Sequence, residues 1–208
     1  HFSPKIILQR IVGQNKNKIF ATVDLDNRII FPNANLVNLK KNDDNIKFYL
    51  AILNSNLISY FYNLYYGESN TNLTKLAFES LPIPNLDFID KSDFINLVDK
   101  LISLIENLKL ESEKFQRALQ REFSLESLSK KLQNWYELSF AEFLKELAKA
   151  KLNLTLSQKA EWEDYFLAEQ QKAISIKSQI DQTDKEIDQM VYELYGLTEE
   201  EIEIVENS

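Results

Sequence analysis

The spacing of hydrophobic and polar positions changes once along the chain, near residue 46. Before it, "KIILQRIVG", "KIFATVDLD", "NRIIFPN" and "NLVNLK" are short runs rich in Ile, Val, Phe and Thr, bounded by Asn, Asp, Lys and Gly. Such runs between turn formers predict strands. "LDN" at 25–27 suits a tight hairpin turn, because Asp and Asn tolerate left-handed backbone angles. Pro32 is expected at a strand end or edge, where its missing N–H does least harm. From Lys47, "KFYLAILNSNLISYFYNLYY" carries apolar residues at Phe48, Ile52, Leu53, Leu57 and Phe61. That spacing predicts one helix over about 47–64. Gly67 ends the pattern, "GESNTNLTK" (67–75) reads as a polar loop, and Pro82 and Pro84 force the next segment to be extended.

From Ser92, a candidate N-cap, the pattern is helical throughout. Leu97, Val98, Leu101, Ile102, Ile105 and Leu108 form an apolar stripe that can continue through Phe115 and Leu119 to Phe123. "FSLESL" predicts a helix restarting around Ser124, and "NLTLSQ" another, with Thr155 and Gln158 at capping-box spacing. From there one long helix can reach Tyr195, with Trp162, Phe166, Ala173, Ile176, Ile180, Ile187, Met190, Val191 and Leu194 along one side. The partly heptad-like spacing predicts an antiparallel hairpin with the 92–123 helix. Gly196 reads as a C-cap, and Thr198 with Glu201 as a second capping box. The closing stretch "IDQMVYELYGLTEEEIEIVE" is a helix, a glycine and a short helix, apolar at helical spacing through both. It is expected to dock rather than stay solvated, against the helix at 92–110. The expected class is α+β: a small β-rich subdomain over 1–90, then a helical subdomain over 91–208.

Composition narrows the chemistry. The 208 residues, 44 % of them hydrophobic, suffice for a sizeable core. The absence of cysteine excludes a disulfide framework, a thiolate zinc site and a cysteine nucleophile, and fits a reducing cytoplasm, the expected location. No apolar stretch approaches the roughly 20 residues that span a bilayer, and no signal peptide is visible, so no membrane partner is expected. Three glycines, Gly13, Gly67 and Gly196, cannot build a phosphate-cradling loop. His1 is the only histidine and reads as a tag or junction remnant rather than a ligand; no metal ligand and no catalytic residue is assigned. With Met190 the only methionine, the chain is expected to be a piece of a longer protein. The net charge of −8 hides an asymmetry: residues 1–86 hold nine Lys or Arg against six Asp or Glu, and residues 87–208 hold 15 against 26. The mildly basic part is the side expected to face nucleic acid.

The tail resembles the C-terminal signature of adenine-specific DNA methyltransferases of the type IIG restriction–modification class. "KIILQRI", "ATVD", "LAILNSNLISYFY", "LPIP", "LVDKLISL" and "EWEDYF" precede it in the order that family shows. "LPIP" is also similar to the segment before the spacer helix of type I specificity subunits. The resemblance implies a TaqI-like C-terminal specificity domain. Residues 1–90 would be the target recognition subdomain and 91–208 a spacer and docking subdomain, with a family-variable helical insertion at about 111–156. Neither an Asn-Pro-Pro-Tyr/Phe tetrad nor an endonuclease signature is found, which implies a non-catalytic chain. Cofactors are expected only in the parent protein, as S-adenosylmethionine and magnesium, and the implied partners are double-stranded DNA and the methyltransferase domain of the same polypeptide.

Reading bases requires Arg, Lys, Asn and Gln, whose donors and acceptors match base edges; positioning on phosphates uses Lys, Arg, Ser and Thr. The candidates are Lys5, Gln9, Arg10, Gln14, Lys16, Lys18, Arg28, Lys40, Lys41, Tyr66, Ser69, Asn70, Thr71, Asn72 and Lys75. Arg10 and Arg28 are the expected base readers, because a guanidinium fits guanine bidentately; Lys40, Lys41 and Lys75 are expected on phosphates. In "YFYNLYY" (60–66), Tyr60, Phe61 and Tyr62 read as core and Tyr65 and Tyr66 as candidates for stacking on an extruded base. Two other readings stand beside this one. The chain could be a helical spacer or protein–protein adaptor without DNA contacts, or a hydrolase using Asp24 and Asp26 as paired carboxylates.

Overall fold

The computed structural model describes residues 4–11, 19–24, 34–39, 45–67, 73–84 and 90–208. Three strands, β1 (Lys5–Gln9), β2 (Ala21–Asp24) and β3 (Ala34–Asn38), form one antiparallel sheet in the order β2-β1-β3. Helices follow: α1 (Ile46–Asn54), α2 (Asn56–Tyr66), α3 (Lys75–Glu79), α4 (Ser92–Phe123), α5 (Lys130–Gln133), α6 (Phe140–Lys149), α7 (Leu156–Tyr195) and α8 (Glu199–Glu206), with a 3₁₀ turn at Trp135–Glu137. The protein is α+β, as its two hydrophobic periods predict. "NRIIFPN", the "LDN" turn and Pro32 lie outside the described residues. No helix among the described residues is long and apolar enough to cross a membrane.

The chain forms two compact units, residues 1–100 with 183–208, and residues 101–182. The division falls inside α4 and α7 rather than at residue 90.

In the first unit, β1 is central. Ile6 faces Val23 and Val37, Leu8 faces Ala21 and Asn35, and both β1 residues are fully buried. Helix α1 packs on the sheet with Phe48 and Ile52 fully buried. Asn54 ties its end to β2: its Oδ1 accepts from the Ala21 N–H at 2.8 Å and its Nδ2 donates to the Ala21 carbonyl at 3.0 Å. The single helix expected over 47–64 is two. Ser55 turns to an extended ψ of 151°, donates its hydroxyl to the Ile52 carbonyl (2.8 Å) and accepts from the Ile58 N–H (3.3 Å). One buried serine thus closes α1 and caps α2, a competition for backbone groups that serine is built for. Ser92 is likewise not the cap of α4 but its first residue; the Asp90 carboxylate accepts its N–H at 3.0 Å and is held below the usual carboxylate range by the backbone and side-chain hydrogen bonds from Ser92. The start of α4 joins α1 through Phe48 on Phe94 (5.0 Å, edge-on) and Lys47 on Asp99 (2.6 Å).

The tail docks in this same unit. Ile187, Val191, Tyr192 and Val205 are buried, each worth roughly 1.5–3 kcal/mol for an apolar side chain fully removed from water. Lys100 lies 3.7 Å from Glu186, so α7 does run beside the start of α4; α8 instead lies on α2. The Tyr195 hydroxyl donates to the Pro82 carbonyl at 2.5 Å, bringing the "LPIP" segment against the tail. Burial pushes that phenol up to about 12. Helix α7 ends in a Schellman cap, with Gly196 at φ 68° and the Leu197 N–H on the Tyr192 carbonyl at 3.1 Å, and the Thr198–Glu201 capping box starts α8.

The second unit is an aromatic core. Phe115 stacks on Trp135 at 3.8 Å and meets Phe166 and Phe143 edge-on. Phe115 on Phe166 and Phe123 on Trp162 run in opposite senses, so α4 and α7 are antiparallel here. No helix restarts at Ser124: that residue takes a left-handed turn (φ 51°) closing α4, and the next helix waits for Ser129, which caps α5. The Thr155–Gln158 capping box opens α7.

Candidate nucleic-acid interface

Five of the fifteen candidate residues fall among the described residues: Lys5, Gln9, Arg10, Tyr66 and Lys75. Gln14, Lys16, Lys18, Arg28, Lys40, Lys41, Ser69, Asn70, Thr71 and Asn72 lie outside them.

Lys5 is a correction. It stands directly opposite Asp24 in the ladder, its ammonium 2.6 Å from that carboxylate, both side chains 3 % exposed. An ammonium buried against a carboxylate in this way offers nothing to a phosphate. It also engages Asp24, one of the two carboxylates of the hydrolase reading; Asp26 lies outside the described residues.

Gln9, Arg10 and Lys75 lie toward one end of the sheet, and Tyr66 lies beyond α3. The backbone N–H of Leu73 donates to the Arg10 carbonyl at 2.9 Å, and Asn35 Nδ2 donates to the Leu73 carbonyl at 2.9 Å. Leu73 itself is buried. The strap of residues 73–75 is therefore clamped across the ends of β1 and β3. Thr74 then caps α3 through the Ala77 N–H at 3.2 Å, which leaves Lys75 at the first helical position with its side chain 86 % exposed. Its ion pair with Glu79 is long, 3.5 Å, and exposed, a contact worth little. Gln9 and Arg10 are exposed beside it, Gln9 with its amide on the Ile11 carbonyl at 2.6 Å. At the far end of α3, Ser80 bonds the Tyr66 hydroxyl at 2.8 Å. A run of contacts thus links Arg10, Leu73, Lys75 and Tyr66.

The aromatic run divides by its helical phase. Tyr62 is fully buried and Tyr60 and Phe61 are half-buried; burial and the nearby Tyr66 raise the Tyr62 phenol above its ordinary range. Tyr65, 64 % exposed and tilted on Phe61 at 4.6 Å, is the open aromatic face, more so than Tyr66. Sequence reasoning missed the residues that position the site, Asn35 and Leu73. Neither carries a local signal, because a clamp between residues 38 apart has none.

Exposed Gln9, Arg10 and Lys75 thus stand at one end of a small sheet, beside a strap anchored by the buried Leu73. Residues 1–83 match the TaqI-like C-terminal specificity domain, the family that the short ordered pieces resemble. Residues 88–191, half of the chain, match the family described as a domain of unknown function (DUF8810), and the chain belongs to that family. No match is found among curated proteins or solved structures.

Proposed function

We propose that this chain recognises the DNA target of a type IIG restriction–modification enzyme, an adenine methyltransferase with or without a fused endonuclease, and is itself non-catalytic. The observation that carries the reading is the match of residues 1–83 to a TaqI-like specificity domain. The exposed Gln9, Arg10 and Lys75 at one end of the sheet supply the chemistry such a surface needs: a guanidinium for bidentate contact with guanine and an ammonium for a phosphate. S-adenosylmethionine and magnesium belong to other parts of the parent, and the methyltransferase domain of the same polypeptide is the partner that would act on the bound duplex.

Alone, the chain is expected to bind duplex DNA weakly, at roughly 10⁻⁴–10⁻⁶ M near physiological salt. In the intact parent, Arg10→Ala or Arg28→Ala should cost about 1–3 kcal/mol on the cognate site and far less elsewhere. Lys75→Ala should weaken all sites alike and reduce the salt slope by about one. The measurement is methylation of a library of target sites by each variant. Retention of the parent's site preference at full rate by both arginine variants would remove them from the reading set.

A further inference from the structure

The acidity of the chain is not spread over its helices. Residues 87–100 and 183–208 hold 13 Asp or Glu against three Lys, whereas residues 101–182 hold 13 against 12 Lys or Arg. Within this second, nearly neutral unit, Lys109, Lys114, Arg117, Lys172 and Lys177 each sit beside a carboxylate. Lys130, Lys131, Lys145 and Lys151 are in no ion pair among the described residues, and all four are exposed.

Lys131 and Lys145 stand on one rim, with Lys130 and Lys151 beside it in the chain. Helix α6 buries Phe143 and Leu147, which leaves Lys145 and Lys149 one turn apart on an outer face. Helix α5 is fastened to it by the Ser129 hydroxyl on Glu146 at 3.1 Å. Lys131 then lies within electrostatic reach of both Glu142 and Glu146, and Lys145 of Glu142. Lys130 precedes Lys131, and Lys151 follows α6 in a left-handed turn (φ 62°). The two carboxylates are committed locally: Glu142 to the Ser139 N–H and hydroxyl, Glu146 to Lys149 and Ser129. Their pKa values are lowered, Glu142 chiefly by the Ser139 backbone and Glu146 chiefly by Lys149. Lys131, Lys145 and Lys149 stand near these two carboxylates and Lys130 and Lys151 adjoin them in the chain, so ammonium groups outnumber carboxylates here.

We propose that Lys130, Lys131, Lys145 and Lys151 form a second contact to duplex DNA, one that holds the phosphodiester backbone without reading sequence. This rests on the DNA-recognition reading above and gives the helical unit a part in it. Lysine suits the role, as a mobile point charge that neutralises a phosphate and releases a counterion.

The test uses the full chain and a labelled duplex, with binding followed by fluorescence anisotropy from about 50 to 300 mM KCl, where counterion release sets the slope. Lys130→Ala/Lys131→Ala/Lys145→Ala should lower affinity at least about tenfold at the low-salt end and flatten the salt slope by about two to three, at unchanged melting temperature. Lys151→Gly should flatten the slope by about one while raising the melting temperature, since glycine prefers that backbone; loss of binding through misfolding is thereby ruled out. Lys172→Ala/Lys177→Ala should bind as the parent chain does. Wild-type affinity and slope in both rim variants would overturn the proposal and leave DNA recognition standing, as would an equal loss in the Lys172/Lys177 variant. A wild-type chain that binds no duplex at the lowest salt would overturn both.

Discussion

Asp188 sits where its charge is least welcome. It lies on α7, 6 % exposed, and its Oδ1 accepts the backbone N–H of Asn56, the first residue of α2, at 2.8 Å. Asp184 on the same helix and Glu206 on α8 face it with like charge, and the Tyr192 hydroxyl donates to Glu206 rather than to Asp188. Burial is the largest influence and, with those two carboxylates, pushes Asp188 from 3.8 up to about 7 against the pull of the Asn56 N–H. A rise of about three units at 1.36 kcal/mol each puts the cost of the charged form on the order of 4 kcal/mol. The helix N-terminus offsets this by about 0.3–1 kcal/mol, up to about 2, which is smaller, so desolvation wins.

The sign follows from linkage. The folded chain holds this proton more tightly than the unfolded one, so the stability gained through it is fully present below about pH 4 and is lost as pH rises through about 7. Asp188→Asn keeps an acceptor for the Asn56 N–H and removes the charge. The variant should be more stable than wild type at about pH 8, by up to roughly 4 kcal/mol, with most of that gain gone at about pH 4. Urea unfolding of both proteins across this range measures it. A variant less stable than wild type at pH 8 would show that the charge–dipole contact outweighs burial, and the reasoning would fail.

Other expectations follow from single contacts. Among the described residues, α4, α6 and α7 end in Schellman caps, with a glycine only at Gly196; Ser124 and Lys151 take the same left-handed turn at φ 51° and 62°. Ser124→Gly and Lys151→Gly should each stabilise by roughly 0.5–1 kcal/mol and Gly196→Ala should destabilise by about 1–2, read as shifts in melting temperature. Asp24→Ala strands the buried Lys5 ammonium and should cost roughly 3–5 kcal/mol, whereas Lys5→Met/Asp24→Leu should come close to wild type in the same denaturation assay. Trp135→Ala opens the aromatic core under Phe115 and should cost roughly 3–5 kcal/mol by urea unfolding.

What the residue pattern makes legible is what depends on neighbours in sequence. The period change near residue 46, the long α7, its Gly196 end and both capping boxes involve partners within four or five positions, so side-chain type alone announces them. The break at Ser55 could have been suspected from "NSN", but the apolar stripe continues across it, and only burial of the serine decides the matter. The ends of α4 and α6 fall on serine and lysine in a left-handed turn for which local preference would ask for glycine, so residue type does not announce them. Lys5 misleads for the same reason: a lysine in a strand looks solvated until its partner, 19 positions on, is placed opposite it. The Leu73 clamp has no local trace at all.

Charge then constrains how a duplex can approach the specificity unit. Helix α8 lies on α2 with Glu199, Glu200, Glu201, Glu203 and Glu206 along eight residues, and no basic side chain stands in its last turn. A phosphate backbone brought to that face would meet like charges at every turn. The strap end of the sheet is the opposite case: Arg10 and Lys75 are exposed there, and Glu79 is the acidic group paired with Lys75, at a distance where a phosphate can compete for the ammonium. Replacing Glu79 with glutamine would free that ammonium entirely. Duplex affinity of the full chain should then rise modestly, severalfold at low salt and vanishing as salt screens the contact. Charge removal on α8, as Glu200→Gln/Glu203→Gln, should change affinity less than the single Glu79→Gln substitution. The reverse order would place the duplex near the tail and away from the strap.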